Sequence, residues 1–130
     1  RGAGRHAADG DDRMTAATHA QLDTKLLALA AMHCRAGAPR LGADELAAHA
    51  AALPGWTCGG DTLAKSFAFA SYQETVAFVN ALAWIAHRED HHPDIAVHYA
   101  RCVVAFSTHD AGGVTLNDVI CAAKTERLFA

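Results

Sequence analysis

Apolar residues recur along this chain with two periods, one near 3.6 residues and one of two, and the switches between them outline the elements. Over residues 16–34, Leu22, Leu26, Leu29 and Ala30 share one face and predict a helix. Gly37, Pro39 and Gly42 interrupt that pattern. Asp44 then suits the start of a short helix with Leu46, Ala50 and Leu53 on one side, stopped by Pro54-Gly55. Trp56–Gly59 and Leu63–Phe69 predict two strands around the turn Gly59-Gly60-Asp61. Leu63, Phe67 and Phe69 point one way in the second strand, with Lys65 interrupting their face.

The strongest helical pattern covers residues 72–89, where Tyr72, Val76, Phe78, Val79, Leu82, Ala83, Ile85 and Ala86 occupy one broad half. Trp84 lies on the other half, where it suits another element or a subunit contact. Pro93 disfavours helical backbone in the residue before it, so this helix ends near His92. Ile95, Val97 and Tyr99 alternate with Ala96 and His98, and Cys102, Val104 and Phe106 with Val103, Ala105 and Ser107, predicting two more strands. A last helix is predicted over about 116–128, with Leu116, Val119, Ile120 and Ala123 inward.

The order is helix, strand, strand, helix, strand, strand, helix, after an extra N-terminal helix. It predicts an α+β fold: a four-stranded antiparallel sheet with three helices packed on one face, plus that extra helix. Residues 1–37 read as a flexible leader and the extra helix, and 38–130 as one compact domain. Within the leader, 1–14 are small, polar and aperiodic, and Met14 is a candidate internal start.

Composition narrows the function classes. The 130 residues suit one domain, 52% are hydrophobic, and the net charge is −3 with histidine neutral. No basic surplus points to nucleic acid. No run of about 18 apolar residues suggests a membrane span. The four cysteines, Cys34, Cys58, Cys102 and Cys121, form no Cys-x-x-Cys, and Cys102 and Cys121 fall on apolar patterns as expected for buried thiols. A reducing cytoplasm is the expected location.

The chemistry concentrates in His91-His92-Pro93 and His109. All three histidines fall at element ends, where functional groups are presented by a rigid scaffold. Imidazole is matched to proton transfer near neutral pH, and two imidazoles in different environments can divide acid and base work. His6, His19, His33 and His49 read as incidental surface or hydrogen-bonded residues, and His98 as solvent-facing. A metal site is the rival reading, because His87 and His91 are four apart on a helix and His109 is available as a third ligand. The His-Glu-x-x-His glutamate is absent and no cysteine stands at ligand spacing, so no metal is expected. Ser66, Ser71 and Ser107 lack a nucleophile-elbow context. Asp118 sits three after Thr115, at capping-box spacing, and reads first as a helix cap. Tyr99 reads as a core or pocket-wall aromatic. Trp56 suits either the core or stacking on a flat heterocycle, and Gly112-Gly113 a tight turn.

Taken together, Leu53-Pro54-Gly55-Trp56, Phe67-Ala68-Phe69, Asp90-His91-His92-Pro93-Asp94, Val97, Tyr99, Ser107-Thr108-His109-Asp110 and the later Asp118 resemble the signature of the pterin-4a-carbinolamine dehydratases over about residues 40–129. The resemblance implies an α+β fold, assembly as a homodimer or homotetramer, and dehydration of 4a-hydroxytetrahydropterin to quinonoid dihydropterin without metal or cofactor. That reaction serves recycling of the pterin cofactor of aromatic amino acid hydroxylases. By resemblance His91 and His109 lie near the C4a hydroxyl and His92 on the N5 side. The substrate-binding positions it implies are Asp90, His87, Trp56, Ser107, Thr108 and Pro93. Asp90 is a candidate to orient a neighbouring imidazole, and Ser107 and Thr108 to meet the pterin edge through backbone groups. The chain departs from the pattern at His87, commonly Glu in animal members, and at Ile95 and Ala96, where an aromatic pair is common.

A second class remains open. Relatives of this fold act as a dimerisation cofactor of a transcription factor or in Rubisco assembly, and fold does not fix function. The three histidines favour the enzyme. The N-terminal extension and Trp84 favour a protein partner.

Overall fold

A computed structural model describes residues 16–130, with side chains from His19 onward. The leader 1–14 and His6 lie outside the described residues. In chain order the elements are α1 (Ala16–Ala30), α2 (Ala43–Ala50), β1 (Thr57–Gly59), β2 (Thr62–Ala68), α3 (Tyr72–Glu89), β3 (Asp94–Val97), β4 (Arg101–Phe106) and α4 (Leu116–Glu126). Short 3-10 turns cover His109–Ala111 and Arg127–Phe129. The four strands form one antiparallel sheet in the order β1-β2-β4-β3, which is the expected α+β architecture.

Register explains which residues face inward. In β4, Cys102, Val104 and Phe106 are buried, as their alternation requires. Phe67 pairs with Cys102 and Leu63 with Phe106, so the buried residues of both strands stand on one face. Lys65 lies on that side as well. Its stem passes Phe67, and its ammonium reaches the Glu126 carboxylate and the Pro54 carbonyl at 2.8 and 2.6 Å. An apolar stem with a paired head lets a lysine occupy an inward position.

Helix α3 starts where the pattern puts it, with Ser71 Oγ accepting the Glu74 N–H at 3.1 Å. Its buried stripe is narrower than the expected half: Thr75, Phe78, Leu82 and Ala86. Thr75 is tolerated inside because its hydroxyl lies within hydrogen-bond distance of the Ser71 and Tyr99 carbonyls. Tyr72 is exposed instead, and stacks on Tyr99 at 6.0 Å between ring centroids.

Tyr99 corrects the sequence reading. β3 stops at Val97, so Tyr99 falls in the β3–β4 turn, 74% exposed. His49 also departs from expectation, since its Nδ1 is buried without a partner among the described residues. Burial lowers its pKa, with Lys25 acting the same way.

Helix α4 is buried nearly all round: residues 117–123 and Thr125 are covered, while Leu116 is only half-buried. The sheet covers one side of it and α1 another. Helix α1 ends at Ala30, earlier than its pattern suggests, and Leu29 enters the common core with Leu53, Trp56, Phe67, Phe78 and Phe106. No described helix is long and apolar enough to cross a membrane.

Candidate active site

The segment 34–40 runs from α1 to α2 past the end of α3 and the start of α4. A cleft of about 660 Å³ opens there. Cys34, Arg35, Arg40, Asp90, His91, Thr108, Asp110 and Asn117 are among its lining residues.

His91 is placed by the way α3 ends. Asp90 adopts the left-handed conformation at the C-cap (φ 50°, ψ 44°), and the His91 N–H donates back to Ala86 O at 3.1 Å. Asp and Asn tolerate this conformation better than most residues. The chain thereby reverses and points the His91 imidazole at α4. His91 Nε2 lies 2.5 Å from Asp118 Oδ1, and the ring stacks on Phe106 at 6.1 Å with its plane tilted by only 8°.

Asp118 does two things. Its Oδ2 accepts the Thr115 N–H at 2.8 Å, closing the capping box of α4 as its spacing predicts. The same Oδ2 accepts the Thr108 hydroxyl at 2.8 Å. With the Thr108 proton so committed, Thr115 Oγ1–H donates to Thr108 Oγ1 at 2.9 Å, and Thr115 Oγ1 accepts the Asn117 N–H at 3.2 Å. The carboxylate is fully buried, and these donors offset its desolvation. With Nε2–H donating to Asp118, His91 keeps Nδ1 as its free ring nitrogen. Such an imidazole can take a proton there and return it.

The other expected residues distribute differently. His109 is exposed, at the start of the 3-10 turn, flanked by the cleft residues Thr108 and Asp110. His92 is exposed beside His91, and Pro93 is half-buried before β3. His87 faces outward on α3, stacked on Trp84 at 5.4 Å, and is not part of the cleft wall. Ser107 is half-buried at the end of β4.

Two assignments change. Trp56 is a core residue. It is 5% exposed, packs on Phe67 and Phe106, and donates Nε1–H to Glu126 at 2.8 Å, which leaves no ring face for a heterocycle. Thr108 donates its backbone N–H to Gly113 O at 3.0 Å, its carbonyl is taken by Ala111 and Gly113, and its hydroxyl is engaged by Asp118 and Thr115, so it builds the clamp around Asp118. The orienting carboxylate is Asp118. Asp90 lines the cleft with no hydrogen bond from its side chain to any described residue. Among the described residues, no three His, Cys, Asp or Glu side chains gather as a metal site would need.

Glu89 is part of the wall and ties its segments together. It accepts the Cys34 N–H at 2.8 Å and His33 at 3.0 Å, with the Lys124 ammonium at 3.6 Å. Burial works against its charge, but these donors outweigh it and hold the carboxyl below its ordinary range. Neither Asp118 as a partner of His91 nor the 34–40 wall was found from the sequence. Capping-box spacing marked Asp118 but could not reveal the second contact, 27 residues away in sequence.

Comparison with known proteins identifies the family. A protein of Chromobacterium violaceum named "Putative pterin-4-alpha-carbinolamine dehydratase" is 70% identical over 77 residues, covering 59% of this chain and 71% of its own. One of Xanthomonas oryzae pv. oryzae with the same name is 55% identical over 111 residues, covering 82% and 94%. The crystal structure of a transcriptional coactivator/pterin dehydratase from Brucella melitensis superposes with a TM-score of 0.67 at 31% identity, covering 70% of this chain and 99% of that one. The family model for pterin 4 alpha carbinolamine dehydratase matches residues 39–128, and this chain therefore belongs to that family.

Proposed function

We propose that this protein is a hydro-lyase that dehydrates 4a-hydroxytetrahydropterin to quinonoid dihydropterin, in recycling of the pterin cofactor of aromatic amino acid hydroxylases. The observation that carries the reading is the His91 imidazole held by the buried Asp118 at the wall of a cleft. Loss of water from C4a needs a proton delivered to the departing hydroxyl and a proton removed from N5. The C–O bond breaks, the N5 electrons form the new C=N bond, and the two protons balance without an enzyme-bound intermediate. His91 Nδ1 is suited to one of these transfers. His109, next in sequence to the cleft residues Thr108 and Asp110, is suited to another, and His92, next in sequence to His91, is the third candidate imidazole. Asp118 positions the His91 ring for the transfer. Asp90, on the wall with a carboxylate that no described residue engages, is the substrate-binding residue that this geometry favours among those the sequence suggested.

The proposal includes assembly of identical chains in the cytoplasm. The edge strand β3 and Trp84, 60% exposed on α3, support assembly. The test is dehydration of 4a-hydroxytetrahydropterin generated in situ by an aromatic amino acid hydroxylase, with chelator present. Acceleration over the spontaneous reaction, lost in His91→Ala, is the expected result. A folded protein that gives no acceleration overturns the reading and favours a partner-binding role.

A further inference from the structure

Cys34 and Cys121 take no part in the acid–base set, yet their Sγ atoms lie 3.5 Å apart across 87 residues of sequence. Cys34 is half-exposed on the cleft wall, and Cys121 is fully buried on α4. The segment carrying Cys34 is already fastened to that helix. Arg35 N–H donates to Asn117 Oδ1 at 3.1 Å, and Asn117 Nδ2 donates to Arg35 O at 2.7 Å. Asn117 and Cys121 are four apart on α4, so one face of the helix presents both to the same short stretch of wall. Two thiols in contact, one of them reachable from solvent, is the arrangement that thiol–disulfide exchange requires.

We infer that Cys34 and Cys121 form a redox modification site, closed to an intramolecular disulfide by a low-molecular-weight disulfide and reopened by a thiol. The Cys34 thiolate attacks one sulfur of the incoming disulfide, making a mixed disulfide and releasing one thiol. The Cys121 thiolate then attacks the Cys34 sulfur, forming the internal bond and releasing the second thiol. Both cysteines are oxidised, the incoming disulfide is reduced to two thiols, and the two cysteine protons end on them. In the reduced protein the neighbouring Cys34 thiol, and then burial, push the Cys121 thiol up; once Cys34 is in the mixed disulfide the first of these influences is gone. A disulfide S–S bond is about 2.05 Å long. Closing from the present separation therefore draws the cleft wall toward the turn that carries Asn117 and Asp118.

The competing product is an intermolecular bridge through Cys58, which is exposed. The full-length protein would be incubated with oxidised glutathione and its peptides mapped by mass spectrometry without reduction. The expected product joins the Cys34 and Cys121 peptides, is reversed by dithiothreitol, and melts at a higher temperature than the reduced protein because the unfolded chain is constrained. Cys58→Ser should give the same product and Cys34→Ser should not. Cys34 lies outside the buried core, so this variant decides the matter without depending on how Cys121→Ser folds. A glutathione adduct that persists on Cys34, linkage through Cys58 alone, or no oxidation at all would overturn the inference.

Discussion

Asp118 holds His91 with one carboxylate oxygen and closes the first turn of α4 with the other. A helix cap and an imidazole clamp therefore share one buried group. The local stability of α4 and the orientation of His91 are tied together by that sharing.

Removal of either acid–base imidazole tests the mechanism most directly. His91→Ala or His109→Ala is expected to lower turnover by roughly 10²–10⁴-fold, the usual scale for a lost general acid or base. The double variant should lose less than the product of the two, because groups that act as a unit are not additive. Steady-state kinetics on the three proteins measures this, and a double variant as active as the parent sinks the mechanism.

Asp118→Asn keeps the side-chain shape and removes the charge. A charge-assisted hydrogen bond contributes about 1.5–3 kcal/mol, which corresponds to a loss of roughly 10- to 10²-fold in turnover if it is fully expressed in the transition state. The same variant should melt at a lower temperature, since the Thr115 and Thr108 donors lose a carboxylate. Nitrogen NMR of the His91 ring distinguishes a clamp from a cap alone: the tautomer balance shifts in the first case and stays in the second.

Asp90 occupies left-handed backbone, where glycine carries no Cβ penalty. Asp90→Gly is expected to keep or raise stability, by roughly 1 kcal/mol at most. If the free carboxylate meets substrate, KM rises in this variant while the melting temperature does not fall. An unchanged KM would reduce Asp90 to a cap.

Glu89 governs acid stability at the cleft wall. Its folded pKa is depressed below the ordinary 4.5, so its contribution is fully present above that value and is lost as pH falls through the folded pKa. The melting temperature should therefore drop as pH falls below about 4.5. Glu89→Gln should be less stable than the parent at neutral pH, with a flatter dependence on pH over the acid range. Thermal melts over that range check both.

Trp56 separates core from pocket. Trp56→Ala should destabilise by about 3–5 kcal/mol, as large aromatic truncations in cores do. Trp56→Phe should cost less and leave KM for the pterin unchanged, because the ring packs on Phe67 and Phe106 within the core. A raised KM in a stable Phe variant would return Trp56 to the site.

The elements themselves were legible in the sequence because each rests on short-range chemistry. The period-two run Cys102–Phe106, the Ser71 cap, the Thr115–Asp118 capping box and the stop before Pro93 all act within a few residues. Together with the histidine spacing, they determined the α+β order and marked one end of the molecule as the candidate site. Contacts between distant segments were decided only by the tertiary structure. Packing chose core over ligand for Trp56, since Glu126 satisfies its N–H from 70 residues away. The early end of β3 exposed Tyr99, and α1 laid against α4 covered a helix that its own pattern showed as one-sided. The joining of His91 to Asp118, and of Cys34 to Cys121, depends on where α3 ends and α4 begins in space. No periodicity encodes that distance, because it is the sum of every packing interaction between them.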